Sequence, residues 1–224
     1  EKELSKPYEM IDMVTTPDGS LVAMVHCNNC TSDLNAWVNL FKEYQELLGI
    51  PVDMDELYGK LYNIALTGDT DCGGLLSYNY ISGEPVTGLA EGRPLFVRSA
   101  NDKFNLANFM RAHLYASVGV LKIGNDILFN EEKIKVDRIT GHGGLFRTKG
   151  VGQRVLAAAI NSPISVMETA GEGGAWGIAL LGSYLVNNKK GQSLADFLDE
   201  SVFVSDAGVE VSPTPEDVAG FNTY

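Results

Sequence analysis

Apolar and polar residues alternate over Ile11–Thr15 and again over Leu21–Val25, with Pro17-Asp18-Gly19-Ser20 between the two runs. A period of two predicts strands, and the turn residues join them as a hairpin. The period then changes. Leu34, Trp37, Val38, Phe41, Tyr44 and Leu48 fall on one helical face, behind Thr31, Ser32 and Asp33, any of which can cap a helix. Gly49 and Pro51 stop it. Asp53, with Glu56 three residues on, has the form of a capping box that opens a second helix to about Leu66. Residues 67–74 read as a loop, Leu75–Ile81 as a strand, Ser82–Pro85 as a turn and Leu95–Arg98 as a short extended run. The longest helical pattern runs from about Asn105 to Phe129. It is apolar on most sides, as befits a helix buried between layers.

The later part repeats one unit. A strand over Ile134–Thr140 leads into Gly141-His142-Gly143-Gly144 and a helical pattern from near Thr148. A strand over Ile164–Met167 leads into Gly171-Glu172-Gly173-Gly174 and an apolar helix over Trp176–Val186. A further helical pattern covers Leu194–Leu198. From Ser212, with Pro213, Pro215 and polar neighbours, a surface tail is expected. The order predicts an α/β fold with antiparallel elements first and a βαβα rhythm, hence a partly parallel sheet, later. Strand, glycine turn and helix in succession build phosphate sites. Glycines let the backbone approach an anion, and a helix N-terminus presents free N–H groups and its positive dipole end. A nucleotide-binding protein is the expectation.

Composition narrows the class. The chain has 224 residues, 45% of them hydrophobic, enough for one large domain with a true core. We place that domain at residues 1–211 and the tail at 212–224. The formal net charge of −12 repels nucleic acid and anionic membranes, so neither is expected as a partner. No apolar run approaches the ~20 residues of a membrane span. The first residues, Glu1-Lys2-Glu3-Leu4, lack the apolar core of a secretory signal and an initiator Met, which fits a piece of a longer chain. Three cysteines, an odd number, fit a reducing cytosol rather than a disulfide framework.

Several side chains invite chemistry. Cys27-Asn28-Asn29-Cys30 has zinc or redox spacing, and His26 and Cys72 would complete a four-ligand zinc site. A second tight ligand pair is missing, however, and Cys27 ends a strand, so a small buried residue is the expectation. Gly68-Asp69-Thr70-Asp71 mimics a catalytic carboxylate segment, yet paired loop carboxylates are more often solvated or turn-forming. Glu84 and Arg93 flank a loop, where Glu84 is expected to close a turn. Arg147 and His142 are expected to face solvent, and His113 to be a satisfied core histidine. Glu172 would be repelled by a phosphate and is not a phosphate ligand.

Taken in order, four stretches resemble the C-terminal part of the FGGY carbohydrate kinases. They are Cys30-Thr31-Ser32 to Trp37, Leu76 to Pro85 with Ser82-Gly83-Glu84-Pro85, the long helix with Arg111 and Ala112, and Ile139-Thr140-Gly141-His142-Gly143-Gly144 with the glycine-rich unit at Gly173 to Leu181. The likeness spans about residues 10 to 200. It implies an actin-like, ribonuclease H-like ATPase domain, a mixed sheet with helices on both faces, forming most of the ATP-holding domain of a cytoplasmic sugar kinase. It further implies ATP and Mg2+ as cofactors, a sugar (a pentulose such as xylulose) as partner and transfer of the γ-phosphoryl group to a sugar hydroxyl, and it leaves a homodimer open. By resemblance, Gly143, Gly144 and Thr148 contact the nucleotide, as do Cys30 and Asn35 at the purine or ribose. The family's catalytic Asp and its Gly-Thr-Ser phosphate loop precede the hairpin and have no counterpart in residues 1–10. No catalytic residue is therefore assigned here, and this chain alone is not expected to be a competent kinase. A nucleotide-binding regulatory module or degenerate kinase, and a zinc or redox protein, are the rival expectations.

Overall fold

The computed structural model describes residues 3–167, 173–203 and 208–224. The hairpin forms as the alternation predicts. Strands β1 (Asp12–Thr15) and β2 (Leu21–Met24) pair antiparallel, with Asp12 opposite Met24. Gly19 supplies the positive φ of +91° that the turn needs. Helix α1 (Ser32–Leu47) buries Leu34 and Val38 and packs Trp37 and Phe41 against the same core. Thr31 stands at its N-cap without a side-chain bond, so the expected capping hydroxyl is not used. Helix α2 (Met54–Ala65) is capped by Asp53, whose carboxylate accepts from the N–H groups of Asp55 (2.9 Å) and Glu56 (3.1 Å).

Strands β3 (Leu76–Tyr78) and β4 (Leu95–Val97) form a second antiparallel pair, shorter than the run of seven that the pattern suggests. Beyond Tyr78 the backbone turns away, because the N–H groups of Ile81 and Ser82 bond the Asn29 side chain instead of a strand. Helix α3 (Leu106–Asp126), capped by Asn105, is buried almost without interruption from Asn108 to Val118 and runs on as a π turn over Ile127–Glu131. Helices α2 and α4 (Val151–Ile160) pack on it. The hairpin reaches it too. A Cβ on Gly124 would stand 2.2 Å from a methyl of Val25, so only glycine admits that approach. Just past the π turn, Glu132 is buried and accepts from the Ser5 and Tyr8 hydroxyls (2.5 and 2.7 Å), which ties down the N-terminal segment.

Three expectations fail. No strand forms over Ile134–Thr140. Only a single parallel bridge, Thr140 to Ser165, is made. Ser165 exchanges its N–H and C=O with Ile139 and Gly141, on one edge of β5 (Ile164–Val166), while the other edge carries β6 (Val209–Val211). Lys135, Val136, Asp137 and Arg138 are exposed, so that stretch has no face to bury. Among the described residues neither the partly parallel sheet nor a mixed sheet with helices on both faces is seen. Among the described residues the strands make three two-stranded antiparallel sheets within an α/β arrangement. Helices α5 (Gly173–Asn187) and α6 (Leu194–Ser201) follow β5, and the glycine turn before α5, with Glu172, lies outside the described residues up to Gly173.

The third failure is the tail. Residues from Pro215 to Thr223 form α7, capped by Thr214, with Phe221 in the core. Asp217 explains why. Its carboxylate accepts from Arg111 of α3 (2.5 Å) and from Arg154 of α4 (2.7 and 3.2 Å), as well as from the Thr214 hydroxyl (2.9 Å). Burial opposes its charge, but the bonds from Arg154, Thr214 and Arg111 outweigh that and hold the carboxyl below the usual range. Gly220 then rests against the backbone of Thr70, where a Cβ would meet the carbonyl oxygen at 2.3 Å. A tail rich in proline and acid reads as solvated only until its acid finds two guanidiniums, one buried and one half-exposed.

Arg111 and Asp217 are 3% and 1% exposed, whereas Arg154 is 39% exposed. Asp217→Ala therefore strands a buried guanidinium and is expected to cost about 3–5 kcal/mol in urea unfolding, against about 1 kcal/mol for Arg154→Ala. Equal losses would show that the Arg111 pair is not what holds α7.

Candidate functional site

Three glycines before α4 are there for three different reasons. A Cβ on Gly141 would lie 2.6 Å from the Phe146 ring, so packing requires its absence. Gly143 has φ +102°, which favours glycine on torsional grounds. Gly144 has neither reason. Its φ is not positive, a Cβ there would meet nothing within 4 Å, and the residue is exposed. It opens a 3-10 turn, Gly144–Phe146, that buries Leu145. Thr148 is half-buried, and His142 and Arg147 are exposed, as expected of them.

The helix behind this loop is not the phosphate-facing helix that strand–turn–helix order suggests. It starts at Val151, later than Thr148, after Gly150 at φ +79°. Its first turn is covered, with Val151 wholly buried and Gly152 so close beneath Leu145 that a Cβ would stand 2.6 Å from that carbonyl oxygen. Gln153 donates from its amide to the carbonyls of Ile164 (3.0 Å) and Val209 (2.7 Å), fixing α4 to β5 and β6. What faces outward is the glycine loop and its 3-10 turn.

Cys30 and Asn35 sit at the start of α1. Cys30 is exposed, and its carbonyl accepts from the Asn79 side chain at 2.7 Å. Asn35 is half-buried and its side-chain oxygen accepts from the Tyr58 hydroxyl at 3.0 Å. The segment before α1 is held by buried polar groups. Glu84 is fully buried, and one carboxylate oxygen accepts from the backbone N–H of Asn28 and Asn29 and from the Asn29 amide, each at 3.1 Å. Asn29 is 3% exposed. Its oxygen accepts from the N–H of Ile81 (2.9 Å) and Ser82 (3.0 Å), and its amide donates to the Ser82 carbonyl (3.2 Å). The Glu84 carboxylate therefore does not close its own turn, as the sequence suggests, but holds Asn28 and Asn29 across the structure. Arg93 on the same loop is exposed.

The zinc and redox expectations find little here. All three cysteines are free. Burial, with Glu84 and Cys30 nearby, pushes the Cys27 thiol up to about 12, so it holds its proton and is a poor nucleophile or metal ligand. Among the described residues no group of three or more His, Cys, Asp or Glu side chains could hold a metal ion. Asp69 is a paired carboxylate. Bonds from Asn108 (3.1 Å) and Lys103 (3.2 Å) hold it below the usual range, which removes the driving force for taking a proton. Asn108, itself buried, also accepts from the Asp69 N–H at 2.7 Å. Sequence reasoning missed Asn29, Asn108, Arg154 and Asp217. Arg111 and Asn108 carried a usable signal, since polar side chains inside an apolar helix demand partners.

The two groups of expected nucleotide contacts lie on different elements, the start of α1 and the loop before α4, while α1 and α4 both pack on α3. Among the described residues no hydrogen bond joins Cys30 or Asn35 to Gly143, Gly144 or Thr148. Two surface depressions lie elsewhere. One, of about 580 Å3, is lined by Lys122, Asp126, Lys135 and Asn161 among others; the second, of about 510 Å3, by Asp69, Asp71, Lys103 and Glu216. Among the described residues no helix is long and apolar enough to cross a membrane.

Comparison with known proteins agrees with the ordered motifs. The family model of the FGGY family of carbohydrate kinases, C-terminal domain, matches residues 2–186. The chain belongs to that family. Among solved structures it is similar to the xylulose kinase from Rhodospirillum rubrum, at 17% identity and a TM-score of 0.69 over 97% of this chain and 41% of that one. A ligand-bound xylulose kinase from Lactobacillus acidophilus gives 15% identity and 0.68 over 98% and 41%. The glycerol kinase of Plasmodium falciparum with ADP gives 18% and 0.55 over 83% and 36%. At these identities the likeness is one of fold, and the chain spans about two fifths of the length of the xylulose kinases it matches. No curated protein matches it.

His113 is a further buried titratable group; its Nδ1 lies 3.6 Å from the Asp33 carboxylate and its Nε2 is buried without a partner, so it is not the satisfied histidine the sequence suggests. It contacts the rings of Phe109, Trp37 and Phe96, and its Nδ1 lies 3.0 Å from the Ser77 hydroxyl. Burial lowers it to about 4, from an ordinary 6.5. Between those values the unfolded chain binds a proton that the folded chain refuses, so stability falls as pH drops through that window and is unaffected by this group above it. Urea unfolding is expected to show the protein losing roughly 2–3 kcal/mol more than His113→Gln between pH 7 and 4.5. Parallel pH profiles would refute this.

Proposed function

We propose that this chain is the nucleotide-holding part of a cytoplasmic sugar kinase, with an actin-like, ribonuclease H-like ATPase core, that transfers the ATP γ-phosphoryl group to a hydroxyl of a sugar such as a pentulose. The observation that carries it is Gly144. Neither packing nor torsion asks for glycine there, so the missing side chain serves an approach from outside, and a nucleotide is what the family handles. Gly143 shapes the loop, Thr148 offers a hydroxyl beside it, and Cys30 with Asn35 would meet the purine or ribose.

In such transfers the protein mainly positions the reactants and stabilises charge. The residues described supply backbone and polar contacts to a nucleotide. No catalytic base is assigned among them, and the base and the γ-phosphate loop are expected from other parts of the kinase. Mg2+ would neutralise the phosphates, held mainly by them and by few carboxylates. The rival reading, a regulatory module that binds nucleotide without catalysis, keeps the same glycine loop.

Gly144→Asp places a carboxylate in open space at the loop. The fold is expected to survive, with an unchanged circular dichroism melt, while ATP affinity in titration calorimetry falls at least about tenfold. Unchanged affinity would remove the site assignment. ATP consumption by the full-length protein over a panel of ketoses and polyols separates the rivals. Turnover is expected, highest on a pentulose, and no turnover on any sugar supports the regulatory module.

A further inference from the structure

We infer that Glu84 is a positioning residue for nucleotide binding, acting through Asn29 on the segment that presents Cys30 and Asn35; this rests on the nucleotide reading above. Residues 28–30 link the β-hairpin to α1 and belong to no strand or helix. Such a segment is ordinarily loose. Here three buried side chains pin it. Glu84 receives both backbone N–H groups of Asn28 and Asn29 on a single oxygen, Asn29 reaches back to the N–H groups of Ile81 and Ser82, and Asn79 ties down the Cys30 carbonyl. Their exposures are 0%, 3% and 3% for Glu84, Asn29 and Asn79.

Burying a carboxylate is costly, and this one is not fully compensated. Its second oxygen is buried without a hydrogen-bond partner. An apolar turn would close the same loop at lower cost. What the carboxylate adds is direction, because one oxygen receiving two successive amides fixes the backbone orientation at Asn28 and Asn29. The next residue, Cys30, is exposed, and Asn35 follows one turn into the helix. The loop itself has no slack. A Cβ on Gly83 would stand 2.4 Å from the Ala90 carbonyl oxygen, and one on Gly92 the same distance from the Ser82 backbone, so the clamp rests on a rigid support.

The test titrates Mg-ATP onto the unaltered protein, Glu84→Ala, Glu84→Gln and Asn79→Ala, with Gly144→Asp as site control and Asp217→Ala as stability control. Glu84→Ala is expected to weaken Mg-ATP about tenfold, and Glu84→Gln, whose amide oxygen still receives the two N–H groups, by no more than about twofold. Asn79→Ala, which cuts only the tether to Cys30, should weaken it about threefold and keeps the inference testable if Glu84→Ala does not fold. Amide exchange at Asn28 and Asn29 should accelerate in Glu84→Ala and not in Glu84→Gln. Asp217→Ala should lower the melting temperature without changing affinity, which separates positioning from general loss of stability. If Gly144→Asp weakens binding while Glu84→Ala and Asn79→Ala bind as the unaltered protein does, the positioning role is overturned and the nucleotide site stands. If the unaltered protein binds no Mg-ATP, or Gly144→Asp binds equally well, the site reading falls and this inference falls with it.

Discussion

Helix α3 is buried on nearly every side, and it carries polar residues into that burial: Asn108, Arg111, His113 and Ser117. A buried polar group that finds no partner costs about 1–3 kcal/mol, and a buried guanidinium considerably more. Ser117 is answered within the helix, by the Leu114 carbonyl, and the His113 Nε2 is left without a partner, but the other demands are met from other elements, and those answers organise the molecule. Asn108 is met by Asp69 and Lys103, which fixes the loop after α2. Arg111 is met by Asp217, which recruits α7, and by the Gly68 carbonyl at 3.1 Å. His113 is met by Ser77, which aligns β3 with α3. Tyr224, at the end of α7, donates to the carbonyls of Ser77 and Ala112 and so joins two of these answers. The apolar contacts supply most of the driving force; the polar demands of α3 decide which segments sit where.

The elements that were legible in the sequence are those whose stabilisation is local. The hairpin, α1, α2 and α3 each carry a complete periodic pattern and a stop or cap, and each forms within a few residues of expectation. The resemblance to a kinase domain was also legible, because ordered motifs survive where single ones are ambiguous. What was not legible depends on distant partners. The run Ile134–Thr140 has strand propensity, but only its last two residues, Ile139 and Thr140, meet a neighbouring strand. The segment after Ser212 looks like a solvated tail by composition, and the two arginines on α3 and α4, with Phe221 in the core, dock it as a helix with one buried face. No local rule places Asp217 beside residues more than sixty positions away.

The site shows the same division. Its glycine loop can be recognised from the residue string, but the string does not say which glycine serves what. Gly141 and Gly143 would be retained in any protein with this backbone, one for the Phe146 ring and the other for its φ. They therefore say nothing about a ligand. Gly144 is informative because the interior gives no reason for it. A glycine with open space beyond its Cα and an ordinary φ loses chain entropy on folding to no structural benefit, at about 0.5–1 kcal/mol relative to alanine.

Glu84 makes the complementary case among charged groups. In a Ser-Gly-Glu-Pro turn a glutamate is unremarkable on a surface, where it would close the turn and face water. Here it is sealed from solvent, pointed at the link before α1, and left with one oxygen unanswered. Gly144 forgoes stability that alanine would supply, and Glu84 incurs a desolvation cost that an apolar residue would avoid. Neither choice follows from the stability of the chain by itself. Both become intelligible if a nucleotide binds at the backbone they shape, Gly144 by leaving room at the 3-10 turn before α4 and Glu84 by fixing the link into α1.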